Sequence, residues 1–294
     1  MKKVFLLLFI STFLSAFSAQ GQDWIKLHQA ADALTINEAL NLVRENPGSA
    51  DLIYQLGLVY LSQHKDKEAE ATFEQLLNSS SLVVLAEWGL SEVYRRQKKT
   101  AASEKILTKS IKDNIDFSPA YITYAYLKYT QADFKAAINL SLKVIRQGQA
   151  NVDLSNYARA FLIYAGSKGM IASRGGPLSK LINGTQVLPN LKRAEKLKPD
   201  SAEVLFGLGN FYFLAPAIAG GNLDKALTYL ERTIEVDPLL ADAYVRLAQL
   251  YKLRQNNRKY EFYLNLAKNI DSENELLKDE LSRECKFNCQ TVEE

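Results

Sequence analysis

The run Ser173-Arg174-Gly175-Gly176-Pro177, followed by Ser179 and Lys180, holds the residue types that bind an anion. Successive backbone N–H groups in a glycine-rich turn form a concave nest, and Arg174 and Lys180 place positive charge beside it, which suits a carboxylate or a phosphate. The same glycines serve equally well as a plain turn with a solvated arginine, and the residues alone leave both readings open. A second glycine-paired stretch, Leu214 to Asn222, brings Gly220 and Gly221 into an apolar turn, with Asn210 and Phe213 just ahead of it. These residues are the candidate ligand site.

Other chemistry is missing. The chain has no Walker A loop, no GxSxG, no HExxH and no zinc-type cysteine pattern. Gly207-Leu208-Gly209 lies inside a helical stretch, so it reads as packing and not as a dinucleotide loop. His28 and His64 read as packing or surface residues, with His64 in a turn between helices. The expectation is a protein that is not an enzyme and needs no cofactor or metal.

The N-terminus has Lys2 and Lys3, an apolar run from Val4 to Phe17 and then small residues, the layout of a secretory signal peptide over residues 1–21. Cleavage fits after Gly21 or after Ser18, which predicts an exported bacterial protein, periplasmic or secreted, that is not integral to a membrane once cleaved. Loss of this segment removes two lysines and no acids from a chain of formal net charge +3. A near-neutral surface argues against nucleic acid as a partner. In an oxidising compartment Cys285 and Cys289, in the terminal ECKFNC, are expected to pair.

The elements that position these residues follow from the spacing. In residues 201–240, Leu205, Leu208, Gly209 and Tyr212 fall at i, i+3, i+4 and i+7, and Ala226, Leu230 and Thr233 form a second stripe, which predicts a helical hairpin. Gly209 lets the second helix close on the first, Ala226 receives it, and Pro238 ends it. This order of residues resembles the tetratricopeptide repeat, of about 34 residues. The phase continues through Ile53, Leu56, Gly57, Tyr60, Ala69 and Phe73, then Leu90, Ser91, Tyr94, Ser103 and Leu107, then Tyr121, Tyr124, Ala125 and Ala137, and last Tyr244, Leu247, Ala248, Tyr251, Leu264 and Ala267.

The expected fold is all-α: a right-handed superhelical solenoid of antiparallel helix pairs, about six repeats over residues 50–274. Residues 22–49 are expected as N-terminal capping helices, with Trp24, Leu27 and Ala31 on one face and Thr35 as a helix cap. Residues 275–294 supply a C-terminal capping helix and tail, with Leu276, Leu277 and Leu281 on the last repeat. Two repeats are interrupted between their own helices, near 164–186 and 214–222, and the two turns are expected to touch and form one composite site, held either by Met170 and Ile171 packing on Pro216 and Ile218 or by an anionic or amphipathic ligand near Arg174, Lys180 and Asn210.

The concave face of such an array is lined here by Tyr54, Trp88, Tyr126, Tyr129, Arg159 and Phe206, an aromatic groove with scattered charge. Either the groove is open to a partner, or neighbouring helices fill it and these rings are core. It lacks the Lys, Asn and Arg set by which chaperone-binding relatives clamp a peptide C-terminus. The segment YFLAPAIAGGNLDKAL followed by LERTIEVDP is also similar to the T-component of tripartite ATP-independent periplasmic transporters. That resemblance covers about residues 150 to 270 and implies an accessory protein binding a small organic acid beside a substrate-binding subunit. The leading expectation is an exported adaptor for a protein or peptide partner. Small-ligand binding in a transport system is the alternative.

Overall fold

The computed structural model describes residues 23–78 and 81–282, and their regular elements are helices. Residues 1–21, with the expected signal peptide, and Cys285 and Cys289 lie outside the described residues. The chain forms two compact units. The first comprises residues up to Leu127 with Lys143–Asn156, and the second Lys128–Leu142 with residues from Tyr157 onward.

The first unit contains α1 (Asp23–Asp32), α2 (Ile36–Glu45), α3 (Ala50–Ser62), α4 (Asp66–Leu76), α5 (Val83–Arg96), α6 (Thr100–Asp113) and most of α7 (Ser118–Thr130). Thr35 starts α2 through a capping box: its Oγ1 accepts from the Glu38 N–H at 3.3 Å, and the Glu38 carboxylate accepts from the Thr35 N–H at 2.8 Å. α3 packs on α4, α4 on α5 and α5 on α6. Phe73 of α4 is the wedge between α3 and α5, fully buried. A Cβ at Gly57 would sit 2.5 Å from its ring, and one at Gly89 2.6 Å, so both first helices need a bare backbone there. The buried serines that break the repeat pattern are both satisfied by backbone: Ser103 Oγ donates to the Ser91 carbonyl at 2.9 Å, and Ser91 Oγ to the Trp88 carbonyl at 2.6 Å.

The regular turns share one device. His64, Lys98, Ala132 and Gln255 adopt left-handed φ of 56°, 60°, 61° and 55°. The next residue's N–H reaches back to close the helix end, Lys65 to the Tyr60 carbonyl at 2.9 Å, Lys99 to Tyr94 at 2.8 Å, Asp133 to Lys128 at 2.9 Å and Asn256 to Tyr251 at 2.9 Å. This Schellman-type closure caps the first helix of a pair and turns the chain into the second.

α8 (Phe134–Gln147) and α9 (Leu154–Arg174) contribute to both units. The second unit continues with a one-turn α10 (Pro177–Ser179), a π-helical turn (Lys180–Gly184), α11 (Val187–Leu197), α12 (Ala202–Leu214), a 3-10 turn (Ala217–Ala219), α13 (Leu223–Val236), α14 (Ala241–Leu253), α15 (Asn257–Ile270) and α16 (Glu275–Ser282). Here α11 to α15 pack in succession, and Gly209 of α12 lies against Leu230 of α13. The interruption expected as a loop over 164–186 is largely helix. Phe161, Ala165 and Ala172 keep a buried stripe going, so α9 runs to Arg174 before Gly175-Gly176-Pro177 ends it.

α16 caps α14 and α15 with Leu276 and Leu277 buried, whereas Leu281, expected beside them, is exposed. Its Glu280 accepts hydrogen bonds from Lys252 Nζ at 2.7 Å, Gln249 Nε2 at 3.0 Å and the Tyr260 hydroxyl at 3.1 Å. Burial alone would raise this carboxyl, but the bonds from Lys252 and Gln249 and the Lys252 charge hold it below the usual value. A carboxylate depressed by folding stabilises the fold above the ordinary glutamate range, and that contribution is lost as pH falls through the depressed value. The amides of α16 should therefore lose protection relative to α14 below about pH 4, measured by hydrogen exchange corrected for intrinsic rate. Glu280→Gln should abolish that difference, and a pH response that persists in the variant would assign the effect elsewhere.

Candidate functional site

In the first unit, α3, α5 and α7 bring aromatic and polar side chains together, and α1 packs on α3 and reaches Trp88 of α5 and Phe117 just ahead of α7. From α5 come Trp88, Glu92 and Arg95, at i, i+4 and i+7 on one helical stripe. From α7 come Thr123 and Tyr126, and from α3 comes Tyr54. Trp88 Nε1 donates to Thr123 Oγ1 at 2.9 Å, and the Thr123 hydroxyl in turn donates to Glu92 Oε1 at 2.6 Å. The other Glu92 oxygen takes two hydrogen bonds from Arg95, at 3.0 and 2.8 Å. The Arg95 guanidinium then lies 4.7 Å from the centre of the Tyr126 ring, in cation–π range. Four residues on two helices thus form one polar network whose donors converge on the Glu92 carboxylate, with Arg95 carrying it to an aromatic face.

Tyr54 and Trp88 do not line an open groove. They are 0% and 4% exposed, because α1 lies across them. The edge of Trp24 meets Phe117 at 5.5 Å between ring centres, and His28 packs on Trp88 at 5.1 Å and on Tyr54 at 5.8 Å. His28 Nε2 is 2.8 Å from the Tyr54 hydroxyl, and Nδ1 is 3.7 Å from Asp153. Burial, with the Asp153 charge nearby, pushes the Tyr54 hydroxyl well above its usual value, so it stays neutral. At the far end of α1, Asp32 accepts from the Ser155 hydroxyl at 2.5 Å. α2 packs on α3, where Ala39, Leu56 and Val59 are buried together with Ala31 of α1. Sequence reading placed Trp24, Leu27 and Ala31 together but left out His28, although it completes the same i, i+3, i+4, i+7 stripe.

In the second unit, Arg174 and Tyr129 come together at Phe134. The Arg174 guanidinium is 5.0 Å from that ring's centre, and the Tyr129 ring is 5.5 Å from it. The Gly175 N–H donates to the Ala172 carbonyl, closing α9 instead of facing outward in a nest. Gly176 is the cap residue before Pro177, and Lys180 is exposed on the π turn. Arg159 is 3.5 Å from Glu203. Phe206 and Asn210 are half-buried on α12, and Asn210 Oδ1 is buried without a hydrogen bond. Phe213 is buried, 5.8 Å from the guanidinium of Arg246.

The expected packing between the two interruptions does not form. Ile218 is fully exposed and Pro216 exposed, so neither supplies an apolar surface for Met170 or Ile171. The shorter turn closes on itself: the Gly221 N–H donates to the Pro216 carbonyl at 3.0 Å and the Asn222 N–H to Tyr212 at 2.8 Å. Gly220 has φ 98°, and a Cβ at Gly221 would strike the Ala215 carbonyl oxygen. The glycine pair is explained by this local closure.

A cationic cleft of about 270 Å³ lies in the second unit, lined by Lys192, Tyr212, Lys225, Thr228, Tyr229 and Arg232. Lys192 Nζ donates to Glu195 at 2.8 Å and to the Tyr229 hydroxyl at 2.9 Å, while Tyr229 stacks on Tyr212 at 5.6 Å. Sequence reading gave no sign of it, since its residues are scattered over α11, α12 and α13.

Among the described residues no helix is long and apolar enough to cross a membrane. A tetratricopeptide-repeat family model matches residues 50–81. No curated protein matches the chain. Among solved structures, it is similar to a thermophilic tetratricopeptide-repeat protein of Thermus thermophilus, at 15% identity over 68% of this chain and 97% of that one, with a TM-score of 0.56. A tetratricopeptide-repeat protein from Parabacteroides merdae matches at 15% identity over 92% and 96%, with a TM-score of 0.53. PilW, a widely conserved type IV pilus biogenesis factor, matches at 17% identity over 79% and 98%, with a TM-score of 0.50. At these identities the likeness is one of fold. Joined to the matched repeat and the regular hairpin turns, it shows that this chain has the tetratricopeptide-repeat fold.

Proposed function

We propose that this chain is an exported, non-enzymatic adaptor that holds a helical segment of a protein partner against the face built by α3, α5 and α7. The observation that carries the reading is that this face holds an amphipathic helix, α1, through apolar anchors and directed polar contacts together. A helix laid in a groove is read by anchors at i, i+3, i+4 and i+7, and Trp24, Leu27, His28 and Ala31 are such a set. Export rests on the signal-peptide layout of residues 1–21, and N-terminal sequencing of the mature protein is expected to begin at Gln22 or Ala19.

The test is a photo-crosslinking residue at Tyr126, half-buried at the margin of the seat, in the protein expressed in its native host. One discrete protein adduct is expected, absent when the crosslinker stands at Arg232 in the cationic cleft. That cleft favours a second reading, a small organic acid held by Lys192, Lys225 and Arg232. A natively purified chain that retains an organic acid, releases it on Lys225→Ala and gives no adduct at Tyr126 would replace the adaptor reading with the ligand-binding one.

A further inference from the structure

We infer that α1 is a built-in competitor for the partner's seat, and that the partner presents an amphipathic helix carrying a large aromatic residue, an aliphatic residue three positions on and a hydrogen-bonding ring at the fourth. This deepens the adaptor reading and rests on it.

α1 differs from α3, α4 and α5 in how it is held. Those three are each packed on both sides by the helices next to them in sequence. α1 is joined to α2 by residues 33–35, shares a buried cluster with it through Ala31 and Ala39, and has α3 as its principal packing partner. It seats itself as a ligand would, with Trp24 against Phe117, His28 between the rings of Trp88 and Tyr54, and Asp32 on Ser155. Gln29 and Ala30 are exposed, whereas the buried stripe and Asp32 contact the face.

The seat also supplies its own polar contacts without α1. The Trp88 to Thr123 to Glu92 to Arg95 chain is closed within α5 and α7, so removal of α1 uncovers rings but breaks none of those bonds. The groups that lose an α1 partner are the Tyr54 hydroxyl and Asp153, which face His28, and the Ser155 hydroxyl, which donates to Asp32. A face that keeps these bonds, and is covered by a helix seated on it through one stripe, has a competent fraction set by how often that helix leaves. Apparent affinity for the partner is reduced by that fraction, and loosening α1 restores it.

The probe is a fluorescein-labelled peptide of residues 22–34, added to the full mature chain and read by anisotropy. Trp24→Ala, which weakens the resident helix and leaves the seat intact, is expected to bind the peptide at least about tenfold more tightly than the unaltered chain does. Adding Tyr54→Phe to that variant should weaken binding several-fold, because the peptide's His28 loses the hydroxyl. The Trp24→Ala chain should also give a higher adduct yield from the crosslinker at Tyr126. If it keeps its helix content but binds the peptide no better than the unaltered chain, α1 is a fixed part of the fold and the inference fails. Loss of cooperative folding in Trp24→Ala overturns it for the same reason. A doubled mass of the unaltered chain in sedimentation, with α1 exchanged between copies, would also overturn it. The adaptor reading fails separately: peptide exchange with no adduct at Tyr126 leaves α1 a displaceable cover over a face without a protein partner.

Discussion

Phe73→Ala is expected to lower the stability of the first unit by about 3–5 kcal/mol, the range for deleting a large buried aromatic ring. The ring is fully buried and fills the space left by two bare backbones, at Gly57 and Gly89. Glycine at both positions has no side chain that could turn into the void. The loss should therefore sit at the upper part of the range and should loosen the junction between the two pairs. The chain's two tryptophans, Trp24 and Trp88, both lie in this unit, so urea unfolding followed by tryptophan fluorescence reports it selectively. A loss under about 1 kcal/mol would show that α3 and α5 repack, contrary to this account.

Glu92→Ala should cost about 3 kcal/mol in the same assay, the lower end of the range for breaking a buried ion pair. Glu92 is 3% exposed and is the acceptor for both the Thr123 hydroxyl and the Arg95 guanidinium. Removing one member of a buried charged pair leaves the other without compensation, which costs more than the pair itself contributes. Arg95 retains some access to water, with its side chain 16% exposed, and this keeps the expected loss at that lower end. A double-mutant cycle with Arg95→Ala separates the two effects: the second substitution should recover part of the loss by removing the stranded charge. If the two losses simply add, the ion pair contributes nothing to the unit. Trp88 emission should shift to the red in Glu92→Ala, since its indole partner Thr123 loses its acceptor.

Part of this architecture was legible from spacing because helix periodicity and hairpin turns are local. A stripe at i, i+3, i+4 and i+7 buries one face wherever the helix goes, and a repeat of about 34 residues places each pair on the next. Gly57, Phe73, Gly209, Ala226 and Leu230 could be read in their packing roles, and Thr35 as a cap, because each answers a constraint set within a few residues or by the adjacent helix. The left-handed residues in the turns were not legible. His64, Lys98, Ala132 and Gln255 share no residue type, and their φ is imposed by the closing hydrogen bond.

The sequence by itself determined an all-α repeat chain, the phase of its pairs and the positions where that phase breaks. Tertiary structure decided what those breaks are and which surfaces are covered. At residues 161–174 the helical stripe and the glycine punctuation competed, and burial of Phe161, Ala165 and Ala172 extended the helix until Gly175-Gly176-Pro177. The pairing of Arg174 with Phe134 and the self-closure of the turn at Gly220 likewise depend on residues brought near in space. Above all, an apolar stripe on α1 states that one face must be buried and says nothing of where. Only the fold lays that stripe across Tyr54 and Trp88, because a helix tethered by residues 33–35 can reach either the end of the array or its face, and the face offers two rings and a hydroxyl for His28.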